Sequence, residues 1–358
     1  MAGSPYASAL GRLQPWFTSF LTKENYATLL SAKDPTDLAK QLETSPYADD
    51  IIRARTTHAG SSMLEVAINR TFVRRNRHAY EATPFAGRRV VAVYLGRWDI
   101  QNIELILSSK AYGRPVTETE DHLVSSRDIP AGLYAGVMTL DDFRILLAQS
   151  SVGAMVAALG QYGYGATVLP FLETFERTHD IFPILTALDR QYYQEVSAAA
   201  RFFQGDEWVV RSLLASEIDV RNGLLLLKGK RAGIPLNDLL SRWIAGGSLG
   251  EAGATDLYTA RGVPELAERL VERFPSAAEG TEEFHAGGNL SGYETALQRD
   301  RATRELKRLR TYPLSLAVIF AYLLRIELER GDLRRLAFGK LYGLTNERLG
   351  KLLVSPAL

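Results

Sequence analysis

The chain has 358 residues, of which 46% are hydrophobic and 23% are charged, so it is long enough for two or three domains with a sizeable buried core. Its formal net charge of +1 gives no global field that would favour nucleic acid or anionic lipid, and no local basic patch is evident in the sequence. The absence of cysteine excludes disulfides, thiolate metal sites, iron–sulfur ligation and cysteine nucleophiles, and it suits a reducing cytoplasm.

Residues 1–20 are predicted to be an N-terminal extension with one short amphipathic helix around Trp16, Phe17 and Phe20. This stretch has no basic start followed by an apolar run and a small-residue cleavage site. A secretory signal peptide is therefore not expected here.

Three helical modules are predicted to follow, because one pattern opens the main part of the chain and returns twice. The segment NYATLLSAKDPTDLAKQLETSPY begins the first module, and its counterparts begin at Asp142 and Ala254. The resulting modules are residues 21–136, 137–250 and 251–358. Each is predicted to contain a short helical hairpin, a longer helix pair and a final helix, so the expected fold class is all-α.

Glycine and proline accumulate at both inner boundaries, around residues 129–137 and 245–254. Residues 278–292, AEGTEEFHAGGNLSG, are the best candidate for a mobile loop. The run AVIFAYLL could also form a buried strand, but the lack of alternating patterns and hairpin turn signals elsewhere favours a helix.

Residues 145–172 carry no charge and are long enough to span a bilayer. Glycines, a proline and several polar residues interrupt this run, and its counterparts in the other two modules are charged (DLAKQL and ELAERL). We therefore expect a soluble helix here rather than a membrane span.

The most informative repeat is residues 98–115, WDIQNIELILSSKAYGRP, which returns at residues 218–235 as IDVRNGLLLLKGKRAGIP. Seven of the eighteen positions are identical, against roughly one expected from average residue usage. The identical pairs are Asp99 and Asp219, Asn102 and Asn222, Leu105 and Leu225, Leu107 and Leu227, Lys110 and Lys230, Gly113 and Gly233, and Pro115 and Pro235. A third, less similar copy runs over residues 328–345, LERGDLRRLAFGKLYGLT, so the chain is predicted to be a triple repeat.

Each copy of this stretch is predicted to be a helix with a defined end. Apolar residues between Ile100 and Leu107 recur at three- and four-residue spacing, which lines one face of a helix. Lys110 lies in the predicted last turn, where its charge favours the negative end of the helix dipole. Gly113 supplies a left-handed C-cap, with Pro115 just beyond it.

An acidic residue and an amide or acid three positions later share one helix face near the start of each copy. Two interpretations stay open: these pairs hydrogen-bond within the modules, or they form a polar ring that faces a partner. The pairs are Asp99 and Asn102, Asp219 and Asn222, and Glu329 and Asp332.

Nothing in the sequence indicates catalysis or a cofactor. Residues 223–231, GLLLLKGKR, have one residue too many between the glycines for a Walker loop, lack the following Ser or Thr, and lie inside a predicted helix. The glycines of residues 160–165 follow no predicted strand, and the five histidines are not paired at metal-ligand spacing. We predict no catalytic, cofactor-binding or metal site and no nucleotide or nucleic-acid binding.

The pattern YLGRWDIQNIELIL, repeated as LLASEIDVRNGLLLLKGK and YLLRIELERGDLRRLAFGK, resembles the C subunit of the archaeal and bacterial V-type (A-type) ATPase/synthase. That protein is related to the d subunit of the eukaryotic vacuolar enzyme. The resemblance covers the chain from about Phe20 to Leu353. The third copy departs from the family's usual Glu-x-Glu-x-x-Asn-Leu, because Asp332 stands where Asn is expected.

The resemblance implies three helical modules in a pseudo-threefold funnel with a central cavity. It implies a rotor component without catalytic residues or cofactors, on the cytoplasmic face of the membrane. Its partners would be the membrane ring of proteolipid subunits and the central-shaft subunits of the D and F type, with membrane association through the ring. Proton flow would turn the ring, and the rotor component would pass torque to the shaft for ATP synthesis, or in the reverse direction during ATP hydrolysis.

Two other functions stay open from the residues themselves. One is an α-helical repeat scaffold that recruits partners unrelated to energy conversion, and the other is an enzyme with an unrecognised site. The rotary coupling function is the leading hypothesis, because the resemblance occurs three times and spans nearly the whole chain.

Overall fold

The computed structural model describes residues 4–125, 138–201, 207–288 and 290–355. It is 77% helical, and these residues contain no β-strand. The all-α prediction is therefore confirmed. The run AVIFAYLL, which also suits a buried strand, lies inside a long helix.

The helices follow one another along the chain with short connections. The first group is α1 (Tyr6–Phe17), α2 (Lys23–Ser31), α3 (Pro35–Leu42), α4 (Ala48–Arg55), α5 (Gly60–Ala82), α6 (Phe85–Leu95), α7 (Arg97–Ala111) and α8 (Val116–Asp121). The second group is α9 (Leu140–Leu147), α10 (Val152–Leu159), α11 (Gly165–Val168), α12 (Leu172–Thr178), α13 (Phe182–Arg201), α14 (Glu207–Arg231) and α15 (Leu236–Leu240). The third group is α16 (Glu251–Tyr258), α17 (Val263–Val271), α18 (Ala278–Gly287), α19 (Leu290–Arg310), α20 (Ala317–Leu341) and α21 (Asn346–Leu352).

The repeated stretch forms the end of a long helical segment in each copy: α6 with α7, then α14, then α20. The last helical residue falls at the same place in every repeat, at Ala111, Arg231 and Leu341. The glycine two residues later has a φ of 66°, 67° or 68°, and the next N–H bonds back into the helix at 2.8 to 2.9 Å. The predicted left-handed helix stops are confirmed in all three copies.

A short helix after each stop packs back on the long one: α8 on α7, α15 on α14 and α21 on α20. In two copies a leucine of the short helix lies so close to a helical glycine that an added Cβ would collide with it. The first copy has Ser and Thr at the corresponding positions, and both are buried. The three corresponding pairs are Ser109 and Thr119, Gly229 and Leu239, and Gly339 and Leu349.

Each long helix packs on helices of the copy that follows it. Helix α7 contacts α9, α10 and α13, and α14 contacts α16, α17 and α19. Helix α20, the last long helix, contacts α3 and α5 of the first copy. One buried cluster joins Leu333 and Leu336 of α20 to Tyr26, Leu38 and Leu64. The packing therefore crosses the module boundaries of the sequence and connects the end of the chain to its beginning.

Helix α1 lies against α5 and α20. Its Leu13 is fully buried, and the rings of Phe17 and Phe20 meet Tyr322 with centroids 5.3 and 5.5 Å apart. The amphipathic helix predicted in this segment is confirmed, and it packs into the same core as the long helices.

The loop predicted over residues 278–292 was wrong, because this segment contains all of α18 and the start of α19. Helix α18 packs on α17 and α19, and Phe284 is buried. Burial of apolar surface thus offsets the poor helix propensity of its small residues. The glycine-rich boundary at residues 129–137 lies outside the described residues.

The uncharged run of residues 145–172 is not one helix. It is divided among the end of α9, all of α10 and α11, the first residue of α12 and two 3-10 turns. Among the described residues, no helix combines the length and the apolar character that a bilayer crossing requires.

Candidate functional site at equivalent positions of the long helices

The predicted amide positions hold the chain segment that follows each short helix. Asn102 accepts the N–H of Val124 at 2.7 Å and donates to its carbonyl at 2.8 Å. Asn222 makes the same two bonds to Ile244, at 3.2 and 2.8 Å. Both amides are 1% exposed. An amide suits this contact because it presents one acceptor and one donor to the backbone.

In the third copy, Asp332 takes the same position and bonds the corresponding residue, Val354. A carboxylate has no N–H to donate, so it accepts two backbone N–H groups instead, from Val354 at 2.9 Å and Ser355 at 2.6 Å. Arg335 also donates to it at 2.8 Å, and this arginine stands where the other two copies have leucine. The exchange of amide for carboxylate is therefore matched by an added cation.

The predicted acidic positions of the second and third copies bind the segment that leads into another copy. Asp219 accepts the N–H of Leu249 at 2.8 Å, and Leu249 directly precedes the N-cap of α16. Glu329 accepts the N–H of Leu21 at 2.7 Å, and Leu21 directly precedes the N-cap of α2. Asp99, the acid of the first copy, is fully buried. In the third copy, the acid thus holds the beginning of the chain.

Glu329 also takes part in a buried ion pair. Its Oε1 accepts from the Tyr47 hydroxyl at 2.8 Å and from Nη1 of Arg75 at 2.5 Å. Arg75 is 1% exposed, and its guanidinium lies over the rings of Phe20 and Tyr47. Burial raises the pKa of Tyr47, and the Glu329 carboxylate raises it further. Burial opposes the charge of Arg75, but Tyr47 and Glu329 hold its pKa above the ordinary value.

Two further polar contacts join α20 to α5. Arg330 donates to the Asn69 side chain at 2.8 Å, and Arg334 pairs with Glu65 at 2.7 Å. Burial lowers the pKa of Arg330 to about 9, and the like charge of Arg334 adds to this effect. The junction between the last long helix and the first copy therefore contains three arginine contacts.

A third set of equivalent positions, two residues before the acid, was not predicted from the sequence: Arg97, Glu217 and Glu327. Side chains from all three long segments meet there. Arg97 pairs with Glu217 at 2.9 Å and with Glu327 at 3.2 Å, and the three side chains are 12 to 14% exposed. We call this set the central cluster. A signal was present, because each copy has a charge at this position beside apolar residues.

Three tyrosines and a second arginine surround the central cluster. Tyr192 accepts from Arg97 at 2.7 Å, Tyr193 donates to Glu217 at 2.6 Å, Tyr94 donates to Glu327 at 2.9 Å, and Arg301 donates to Glu217 at 3.0 Å. Side chains of α13 and α19 therefore support the meeting point of the long helices.

The two glutamates of the central cluster titrate differently. Burial opposes the charge of both, but Arg97 and Arg301 hold the pKa of Glu217 at about 2. Burial dominates at Glu327, whose pKa is raised although Arg97 acts to lower it. The difference arises because Glu217 is hydrogen-bonded to two arginines, whereas Glu327 is bonded to Arg97 and to the hydroxyl of Tyr94.

The repeated lysines also connect copies. Lys230 donates to the carbonyl of Tyr258, the last residue of α16, at 2.9 Å, and Lys340 donates to the carbonyl of Leu30 in α2 at 2.6 Å. Residues 223–231, which were rejected as a phosphate loop, are helical within α14. No group of three His, Asp or Glu residues that could hold a metal ion occurs in the described ranges.

Known proteins of similar sequence match the chain over almost its full length. The profile of the family described as ATP synthase (C/AC39) subunit matches residues 10–352. The C subunit of the A-type ATP synthase of Thermoplasma acidophilum is 33% identical over 355 residues, covering 99% of both chains. That of Thermoplasma volcanium is 33% identical over 350 residues, covering 98% of both, and that of Methanocaldococcus jannaschii is 22% identical over 98% of this chain and 87% of its own. The chain therefore belongs to the ATP synthase (C/AC39) subunit family.

Proposed function

We propose that this chain is the non-catalytic central-stalk component of a rotary, proton-translocating V-type (A-type) ATPase/ATP synthase. It links the central shaft of D- and F-type subunits to the membrane ring of proteolipid subunits and carries torque between them. It acts on the cytoplasmic face of the membrane and is attached there through the ring. The observation that carries the proposal is the closed packing, in which α20 is bound to the first copy.

A connector that carries torque must hold together at its weakest junction. In the first two copies, continuous chain joins the long helix to the helices on which it packs. Helix α20 and the first copy have no such link, and this is the junction that contains the Arg75–Glu329 pair and the contacts of Arg330 and Arg334. Buried ionic contacts can specify one register of packing, because any other arrangement leaves a buried charge unpaired.

The central cluster supports the same proposal from the middle of the molecule. Arg97 of α7 bonds to Glu217 of α14 and to Glu327 of α20. A rotation of one long helix against the others would separate these partly buried charges. Torque applied to one helix is therefore shared by all three.

We assign the six residues predicted from the repeat a positioning role in this connector. Asn102, Asn222 and Asp332 hold the segment after each short helix, while Asp219 and Glu329 hold the segments that lead into α16 and α2. Asp99 is assigned the same role by its position in the repeat and its burial.

ATP-driven proton pumping in liposomes that contain the reconstituted complex tests the proposal. A complex without this chain should still hydrolyse ATP in its catalytic part and should not pump, and addition of the chain should restore pumping. Arg75→Met, which breaks the buried pair, should pump fewer protons per ATP than Arg77→Met, whose partner Glu81 is exposed. Pumping at the wild-type level without the chain would refute the proposed role.

Copurification from native membranes separates this function from that of a scaffold. Gentle detergent extraction with a tag on this chain should recover shaft and ring subunits together. Recovery of unrelated proteins without any ATPase subunit would favour the scaffold.

A further inference from the structure

We propose that the starting ends of the three long helical segments form the surface that binds the proteolipid ring. We call this surface the apex and define it by Phe85, Trp208, Tyr312 and Leu314. The inference rests on the proposed function, because it names the face through which the connector meets one of its two partners.

The apex exposes large apolar side chains from each of the three copies. Phe85 begins α6 and is 90% exposed, and Trp208, in the first turn of α14, is 39% exposed. Tyr312 and Leu314 come just before α20 and are 46% and 54% exposed. Single apolar residues on a surface are ordinary, but a group of them at one place indicates an interaction site.

Contacts between neighbouring residues bring this group to one end of the molecule. The rings of Trp208 and Tyr312 meet edge to face with their centroids 4.8 Å apart. Gly87, two residues after Phe85, is so close to Leu316 that an added Cβ would lie 3.0 Å from its Cδ1. The starts of α6, α14 and α20 therefore lie side by side.

The apex is also positively charged. Neither α6 nor α20 has an acidic residue in its first turn, so the positive ends of these helix dipoles are not offset there. The sequence places one acidic residue, Glu207, at the first position of α14. The surrounding exposed arginines have no acidic partner among the described residues, and they are Arg88, Arg89, Arg211 and Arg310.

Apolar rings beside unpaired arginines fit a partner surface that is apolar at its centre and acidic around it. A protein surface fits better than lipid, because helices that bind a membrane surface lie flat and bury a whole face. The apex presents helix ends instead. Within the proposed complex, the partner that this chemistry describes is the cytoplasmic face of the proteolipid ring.

The opposite ends of the long helices suit the shaft. Beyond the central cluster, α7, α14 and α20 pack on three different sets of helices. A cavity of about 180 Å³ lies next to the cluster between α7, α13 and α14, lined in part by Gln101, Glu104, Asp189 and Arg221. A partner that enters between the helices therefore has room at this end rather than at the apex.

Two double variants, matched in chemistry, test the inference. Phe85→Glu with Leu314→Glu alters the apex. Tyr112→Glu with Tyr342→Glu makes the same type of change at the opposite ends of α7 and α20, where the two tyrosines are 61% and 75% exposed. Affinity of each full-length chain for the purified, detergent-solubilised ring is measured by biolayer interferometry. We expect binding to weaken by about tenfold or more in the apex variant and by less than about twofold in the control.

Circular dichroism and Tm check that both variants fold, which their exposed positions favour. Ring binding that persists in the apex variant would overturn the inference, most directly if the control variant loses it. Loss of binding to protein-free vesicles of anionic phospholipid, with ring binding unchanged, would replace the ring by lipid as the partner. A wild-type chain that does not bind the ring would overturn the proposed function itself, so the two failures are distinguishable.

Discussion

Arg75 and Glu329 are 254 residues apart in the chain and form a buried ion pair between α5 and α20. One belongs to the first copy of the repeat and the other to the last. Their side chains are 2% and 3% exposed, so water screens the pair little. The chain is thereby held closed at the junction that has no covalent link.

Arg75→Met should lower the free energy of unfolding by about 3 to 5 kcal/mol, because it leaves the Glu329 carboxylate buried without its cation. Arg77→Met is the matched control. Arg77 pairs with Glu81 at the surface, so its loss should cost less than about 1 kcal/mol. Urea unfolding followed by circular dichroism measures both values, and equal losses would contradict the structural role of the buried pair.

Asn222→Asp should cost about 2 kcal/mol, because a carboxylate cannot donate to the carbonyl of Ile244 and gains no cation at that place. Adding Leu225→Arg copies the arrangement of Asp332 and Arg335 in the third copy and should recover part of the loss. A double-mutant cycle in urea gives the coupling energy. A coupling near zero would mean that Arg335 does not compensate for the missing amide.

Gly229→Ser should destabilise the protein by about 1 to 3 kcal/mol, because the new Cβ meets the side chain of Leu239. Combining it with Leu239→Thr copies the Ser109 and Thr119 pair of the first copy and should restore most of the loss. Gly331→Ala is the control, since an added Cβ there meets only the flexible end of Arg335 at an ordinary distance. It should be neutral or stabilising by about 0.5 to 1 kcal/mol. Thermal unfolding of these variants would contradict this account if Gly331→Ala cost as much as Gly229→Ser.

Glu217 should make stability depend on acid. Its pKa in the folded protein is about 2, below its ordinary value of 4.5, so its stabilising effect is fully present above about pH 5. The effect is lost as the pH falls toward 2, and the loss is on the order of 3 kcal/mol. Unfolding free energies measured between pH 6 and pH 2 should therefore converge for the wild type and Glu217→Gln. A difference that stays constant over this range would contradict the assigned pKa.

The isolated chain should show no saturable binding of Mg-ATP and no ATP turnover. The most suggestive lysine for such a site, Lys230, lies in a helix and donates to the carbonyl of Tyr258. Isothermal titration calorimetry measures the binding, with the reconstituted complex as the positive control for turnover. Stoichiometric binding by the chain alone would contradict the non-catalytic assignment.

The sequence by itself determined the helices, their ends and the family. These depend on interactions within a few residues: apolar spacing along one face, and a glycine such as Gly113 that alone accepts a left-handed backbone at low cost. The acid and amide positions were also visible, because they recur in register. Residues 278–287 were misjudged because the packing of α18 on α17 and α19 outweighs the local propensity on which the prediction rested.

Only the tertiary structure decided which copy each long helix packs on and where the three copies meet. Periodicity defines the apolar face of a helix, but it does not select among three similar partners, and that choice depends on contacts between residues far apart in the chain. The Arg75–Glu329 pair and the meeting of Arg97 with Glu217 and Glu327 are such contacts. No local pattern predicts them, since an arginine or glutamate on a helix is ordinarily solvated until the fold brings its partner close.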